Sequence, residues 1–138
     1  MSVEIDGTET VLRALQKISD NIPNLLSGLG TIIEEQTKRR ISDEKTAPDG
    51  TPWDEWSDKY RKTRGSENSL LIGEGHLLDS IQHQLSDKGT LLVGTNMVYA
   101  ATQQFGRGGI PAREFLGFSD ENLGEIETEL KDWAEQLF

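Results

Sequence analysis

The chain has 138 residues, of which 34% are hydrophobic and 28% charged, and its formal net charge is −10. That length fits one domain with a modest core. No apolar run reaches the roughly 18 residues of a membrane span, the acidic surface disfavours general nucleic-acid binding, and the lack of cysteine excludes disulfides, Cys-based zinc sites and thiol nucleophiles.

The N-terminal stretch MSVEIDGTET is acidic and polar. It does not read as a secretory signal, and folding in the cytoplasm is the expectation. Residues 8–19 read as a short helix, because Val11, Leu12, Leu15 and Ile18 share one helical face. Asp6 and Glu9 stand at capping-box positions. The stretch Asp20-Asn21-Ile22-Pro23 is expected to break the pattern. A second helix then runs from about Asn24 to Asp43, its inner face marked by Leu25, Leu26, Leu29, Ile32, Ile33, Gln36, Arg40 and Ile41. From Glu44 to Gly75 the periodicity dissolves, and residues 44–74 are expected to form a mobile loop. Pro48-Asp49-Gly50 is a turn inside it, with Pro48 presetting φ and Gly50 accepting positive φ. The segment carries Trp53, Trp56 and Tyr60, which either fold back on their own domain or bury against a neighbouring chain.

A helical turn at His76 to Ser80 precedes a hairpin. Ile81, His83 and Leu85 alternate with polar residues, Gly89 suits the reversal, and 90–95 returns as a more buried strand. Asn96 is placed to cap a helix over Met97 to Phe105. The glycine-rich stretch FGRGGIPAREFLG (105–117) follows, with one more strand expected at Arg113 to Leu116. Ser119 then caps a last helix, whose inner face is read as Leu123, Ile126, Leu130, Trp133 and Leu137.

Charge is unevenly distributed. Residues 38–64 hold eight of the fourteen Lys and Arg, whereas the last twenty residues hold seven acids against Lys131. Such poles allow head-to-tail contacts between copies; the alternative is a solvated surface with chance clustering. Catalytic patterns are sparse. There is no G-x-S-x-G, P-loop or H-E-x-x-H, and Gly106, Gly108 and Gly109 do not make a dinucleotide fingerprint. His76 and His83 read as surface histidines rather than metal ligands. Arg107 reads as solvent-facing or anion-binding. No catalytic, cofactor or metal residue is assigned.

The order of four motifs says more than any one of them: PDGTPW (48–53), LLIGEGHLLDSI (70–81), LLVGTNMVYAATQQFG (91–106) and IPAREFLGFS (110–119). The series resembles the phage virion morphogenesis family, the tail completion proteins of Mu-like phages and prophages, over about residues 10–137. Departures are Glu74 where Thr is frequent, Gln103 where His is common, and a short loop before Ile110. The resemblance implies an α+β fold, with N-terminal helices and a C-terminal helix packed on a small antiparallel sheet, similar to phage head–tail neck proteins. It also implies a structural, non-enzymatic role in assembly at the head–tail junction or the head-proximal tail end. The partners are then copies of itself in a ring, hexamers among the forms expected, and tail or head–neck proteins. Neither a membrane nor sequence-specific nucleic acid is expected as a partner. The location is the virion, after assembly in the host cytoplasm.

On that reading Gly50, Gly75, Tyr99, Phe105, Gly106, Pro111, Phe115 and Leu116 are the motif's structural residues, and Trp53, Trp56, Tyr60, Arg107 and Arg113 are candidate interface residues. The glycines of 106–109 let the chain leave the preceding helix, Pro111 limits the exit, and Arg113 is placed to bind a carboxylate in its own or the next subunit. Phe115 is expected in the core. The acidic last helix either lines a channel through which DNA passes or meets the basic 38–64 segment of a neighbour. The rival functions are a small phage-encoded hydrolase and a monomeric protein-binding module.

Overall fold

The structure is a computed structural model that describes residues 7–57, 62, 76–87 and 89–138. Tyr60, Gly75, Asp6 and most of the 58–75 segment lie outside the described residues, so the expectations placed on them do too.

The architecture is α+β. Helix α1 runs Thr8–Arg39 and passes directly into a π-helical turn, Arg40–Glu44. Helix α2 (His76–Ser80) leads into an antiparallel hairpin of β1 (Gln82–Leu85) and β2 (Leu91–Gly94), then α3 (Ala100–Phe105) and α4 (Asp120–Leu137). The hairpin pairs Gln82 with Gly94 and Leu85 with Leu91, and Gly89 takes its turn at φ 75°. Helix α1 packs against both strands and against α4.

The expected break at residues 20–23 does not occur. Pro23 lies inside one 32-residue helix, which is about 48 Å long. A proline in a helix interior removes a backbone donor and crowds the preceding turn. Here α4 runs antiparallel along α1 on both sides of Pro23. A Cβ at Gly28 would touch Glu129, while Lys17 stands 5.7 Å from the Phe138 ring centroid. Tertiary packing therefore splints the weak point. The N-cap of α1 is Gly7, with no side-chain capping bond.

Helix α4 begins with a capping box. The Asn122 amide donates to Ser119 Oγ, and Asn122 Oδ1 accepts from the Ser119 amide, both at 3.0 Å. Its inward face is not the one its leucines suggest. Asn122 and Leu137 are buried, and Ile126 and Trp133 half-buried, but Leu123 and Leu130 are exposed. Asn122 is drawn inward by hydrogen bonds from α1, which rotates the helix away from its most apolar face.

Two more elements differ from expectation. Helix α3 starts at Ala100 rather than Met97, because Thr95 Oγ1, not Asn96, organises the turn by accepting from the Met97 amide at 3.0 Å. Residues 113–116 form no strand. The core consists of Ile41, Trp53, Leu77, Ile81, Ala100 and Phe115. They come from five separate segments, so the core closes only when the π turn after α1, the 48–53 turn, α2 with Ile81 beyond it, α3 and the glycine loop have all arrived.

The hairpin is held to α1 by a polar contact. His83 is half-buried instead of surface-exposed; its Nδ1 lies 2.6 Å from Glu34 Oε2, and Lys38 pairs with Glu34 at 3.1 Å. The histidine ring fits here because Gly30 has no side chain. A Cβ at Gly30 would stand 2.3 Å from His83 Cδ2, closer than packed atoms tolerate. Gly30→Ala should therefore cost about 2 kcal/mol through overpacking, despite alanine's better helix propensity. Urea unfolding checks this, and a stabilised variant would contradict the contact.

The His83 hydrogen bond holds the Glu34 carboxyl below its ordinary value, with burial opposing and Lys38 assisting. A depressed carboxylate stabilises the fold above its unfolded value, about 4.3, and that contribution is lost as pH falls through the lower folded value. Glu34→Gln should make the acid limb of the stability–pH curve shallower between about pH 5 and 3. Thermal melts across that range measure the slope.

Candidate functional site

The glycine-rich motif is built from local backbone chemistry upward. Helix α3 ends at Gly106, whose φ is 77°. A Cβ there would lie 2.9 Å from both Ala112 N and Ile110 O, so glycine is required for conformation and for space. Arg107 and Ile110 then exchange both backbone hydrogen bonds, at 3.0 and 2.9 Å, across Gly108-Gly109. This tight reversal leaves Arg107 and Ile110 exposed. Pro111, half-buried, directs the chain back inward.

The return path is clamped by side chains instead of a strand. Gln104 Oε1 accepts from the amides of Phe115 and Leu116, both at 3.1 Å, and its Nε2 donates to Leu116 O at 3.2 Å. One glutamine thus supplies the hydrogen bonds that a neighbouring strand would have given, which is why 113–116 pairs with no strand. Arg113 is buried. Its Nε donates to Asp54 O at 2.8 Å and its Nη2 to Glu55 O at 3.3 Å. The expectation of a carboxylate partner is corrected, since Arg113 binds main-chain carbonyls of its own subunit. It ties the glycine loop to the segment after the 48–50 turn. Phe115 is fully buried in the core, as expected, with Leu116 packed against it.

Pro48-Asp49-Gly50 forms the expected turn. Gly50 has φ 91°, and its amide donates to Ala47 O at 2.9 Å. The ring of Pro48 packs on Gly117, where a Cβ would stand 2.6 Å from Pro48 Cγ. Trp53 lies in the chain's own core, at 5% exposure, rather than at a surface, and its Nε1 donates to Glu114 O at 2.8 Å. Trp56 is half-buried against the same core. The tryptophans therefore join two family motifs inside one subunit.

The buried hub is Arg40, which is 1% exposed. Its Nη1 donates to Phe115 O at 2.8 Å and Gly117 O at 3.2 Å, and its Nη2 donates to Asn122 Oδ1. Gln36 Nε2 adds a bond to Asn122 O at 3.1 Å. Burial pushes the guanidinium below its ordinary value, partly offset by Glu44, and arginine stays protonated regardless. The π turn brings Lys45 into a left-handed conformation (φ 56°), and its amide reaches back to Arg40 O at 2.9 Å. Arg40 and Gln36 stand on the inner face read from periodicity, but nothing in the periodicity distinguishes a hub from a snorkelling cation. Gln104 sits inside the Gln-Phe-Gly motif, which was its only signal.

Four cations of the basic pole are engaged within the subunit. Arg39 pairs with Glu125 at 3.0 Å, Lys38 with Glu34, Arg40 with carbonyls, and Lys45 Nζ donates to Ile41 O at 2.5 Å. Lys59, Arg61 and Arg64 lie outside the described residues.

The glycine loop leaves apolar side chains open: Phe105 is 78% exposed and Ile110 is also exposed, beside the exposed Arg107, and before α3 Val98 is 97% exposed and Tyr99 is open too. From Gly89 to Arg113 the sequence contains no acid. A sequence profile of the phage virion morphogenesis family matches residues 3–135. The chain belongs to that family. Its role lies in virion assembly. Neither the curated proteins nor the solved structures give a significant match.

Removing the hub should be severe. Arg40→Ala removes the donors to the Phe115 and Gly117 carbonyls and one of the two donors to Asn122 Oδ1, and should cost about 3 kcal/mol or more. Arg40→Lys keeps the charge but not the planar fork, and should fall between the wild type and alanine. Urea unfolding followed by tryptophan fluorescence orders the three proteins.

Proposed function

We propose that this protein is a structural, non-catalytic component that completes the tail or connects it to the head, working as a homo-oligomer, in the form of a ring. The observation that carries the reading is the family match over residues 3–135, taken with the apolar surface that the family's own motif presents. A monomeric soluble protein rarely leaves an apolar group as large as Val98, Tyr99, Phe105 and Ile110 open unless another surface covers it. Aromatic side chains such as Phe105 and Tyr99 are frequent anchors of interfaces. The loop that follows Phe105 and bears Ile110 is braced by Gln104 and Arg113, so that part of the surface is presented with little conformational cost on docking.

In this reading the acid-free tip, with Arg107, meets an apolar, acid-rimmed surface, either on a second copy or on the adjacent tail or neck protein. The acidic outer side of α4 then faces away, towards solvent or a DNA channel where like charge keeps the passing strand from sticking.

Labelled protein should appear at the head–tail junction or the head-proximal tail end of finished particles. Phe105→Asp should leave the melting temperature nearly unchanged, since the side chain is exposed, yet lower the yield of infectious particles at least about tenfold, because a charge is then buried against a partner. Normal yield from the variant, or label spread evenly through the particle, would refute the reading.

A further inference from the structure

Helix α1 carries one continuous apolar seam, and only half of it is covered. In the C-terminal half, Leu26, Leu29 and Ile33 are half-buried beneath the hairpin and α4. The same alternating spacing of three and four residues continues towards the N-terminus through Ile22, Leu15 and Leu12, with Ser19 in the remaining place. There no described residue covers it. Leu12 is 59% exposed and Leu15 56%, and Val11 flanks them at 57%. Helix α4 ends near Lys17, where Phe138 meets that side chain, so residues 8–16 extend about 13 Å past the end of α4.

The spacing identifies the kind of partner. An alternating three–four stripe fits the side of another helix, knobs into holes, and continues the seam already in use lower down. Charge selects which helix. Over residues 8–24, Glu9 and Asp20 balance Arg13 and Lys17, in a chain whose net charge is −10. Those groups are also engaged within the subunit: Arg13 with Glu9 at 2.5 Å, Asp20 with Gln16 at 2.7 Å, and Lys17 over Phe138. Most faces of two copies would repel one another, whereas this one can meet its own kind without like-charge repulsion.

We infer that the N-terminal half of α1 docks side by side against the same stretch of α1 in a second copy of this chain. The inference rests on the proposal that the protein assembles with itself, and names the surface. The strip is smaller than the roughly 800 Å² per partner of a stable dimer, so the free protein should associate weakly and reversibly, with closure completed by further contacts in the particle.

Sedimentation equilibrium of the full chain, up to about 1 mM, tests this. The wild type should self-associate, and Leu12→Gln/Leu15→Gln should weaken association at least about tenfold. Leu92→Gln, on a residue equally exposed at 59%, should not. Leu12→Ala/Leu15→Ala, which strengthens the helix itself, should weaken association as the glutamine pair does, separating loss of the seam from fraying. A wild type that stays monomeric, paired variants that associate normally, or Leu92→Gln acting as strongly as the pair would each overturn the inference. Monomeric wild type that still completes particles would sink this docking surface and leave the assembly role standing. Normal association of the paired variants would leave self-assembly standing and place it on another face.

Discussion

The fold depends on one buried cation. Arg40 sits where α1 gives way to its π turn, and it reaches the loop after the glycine reversal and the first turn of α4 at once. Both lie 75 to 82 residues beyond Arg40 in sequence. A guanidinium suits the task because its donors lie in a fixed plane and can serve several acceptors together. Burying a charge is expensive, and here the return comes from main-chain carbonyls and an amide oxygen, none of which has to be desolvated as an ion. The widened turn at Arg40–Glu44 belongs to the same device, since it ends α1 with Lys45 reversing the chain towards the 48–53 turn.

Around that hub, specific side chains replace regular structure. The sheet has two strands, and the hydrophobic core draws single residues from several segments. Trp53 bonds to Glu114, Arg113 to residues 54 and 55, and Gln104 to residues 115 and 116. These contacts within one subunit hold both feet of the glycine loop, which leaves Phe105 and Ile110 outside.

Much of this was legible in the sequence, and the failures have physical reasons. The hairpin, the Pro48-Asp49-Gly50 turn, the Ser119 cap and the burial of Phe115 follow from local rules of alternation, turn chemistry and capping. The continuity of α1 through Pro23 was not legible, because the splint is α4, more than a hundred residues away. The rotation of α4 was hidden for a similar reason: its leucines mark the apolar stripe, but a polar residue, Asn122, fixes the helix's azimuth. Residues 113–116 were expected as a strand, yet the amides of 115 and 116 are taken by the Gln104 side chain and that of Arg113 by Gln103 O, an arrangement that periodicity cannot register. Of the cations clustered at 38–64, Lys38, Arg39, Arg40 and Lys45 find partners within the subunit, as the Arg39–Glu125 pair illustrates, and that pairing depends on α4 lying beside α1.

The glutamine clamp has a bearing on how this family can vary. Because Gln104 fastens residues 115 and 116 directly, the excursion between them is anchored at both feet and owes nothing to strand register. Lengthening its tip at Gly108-Gly109 would disturb neither the core nor the sheet, and would add only the slowly growing entropy of a longer closed loop, about 0.6 kcal/mol for each doubling. The tip can thus change its length and chemistry, by insertion, while the molecule that carries it stays the same.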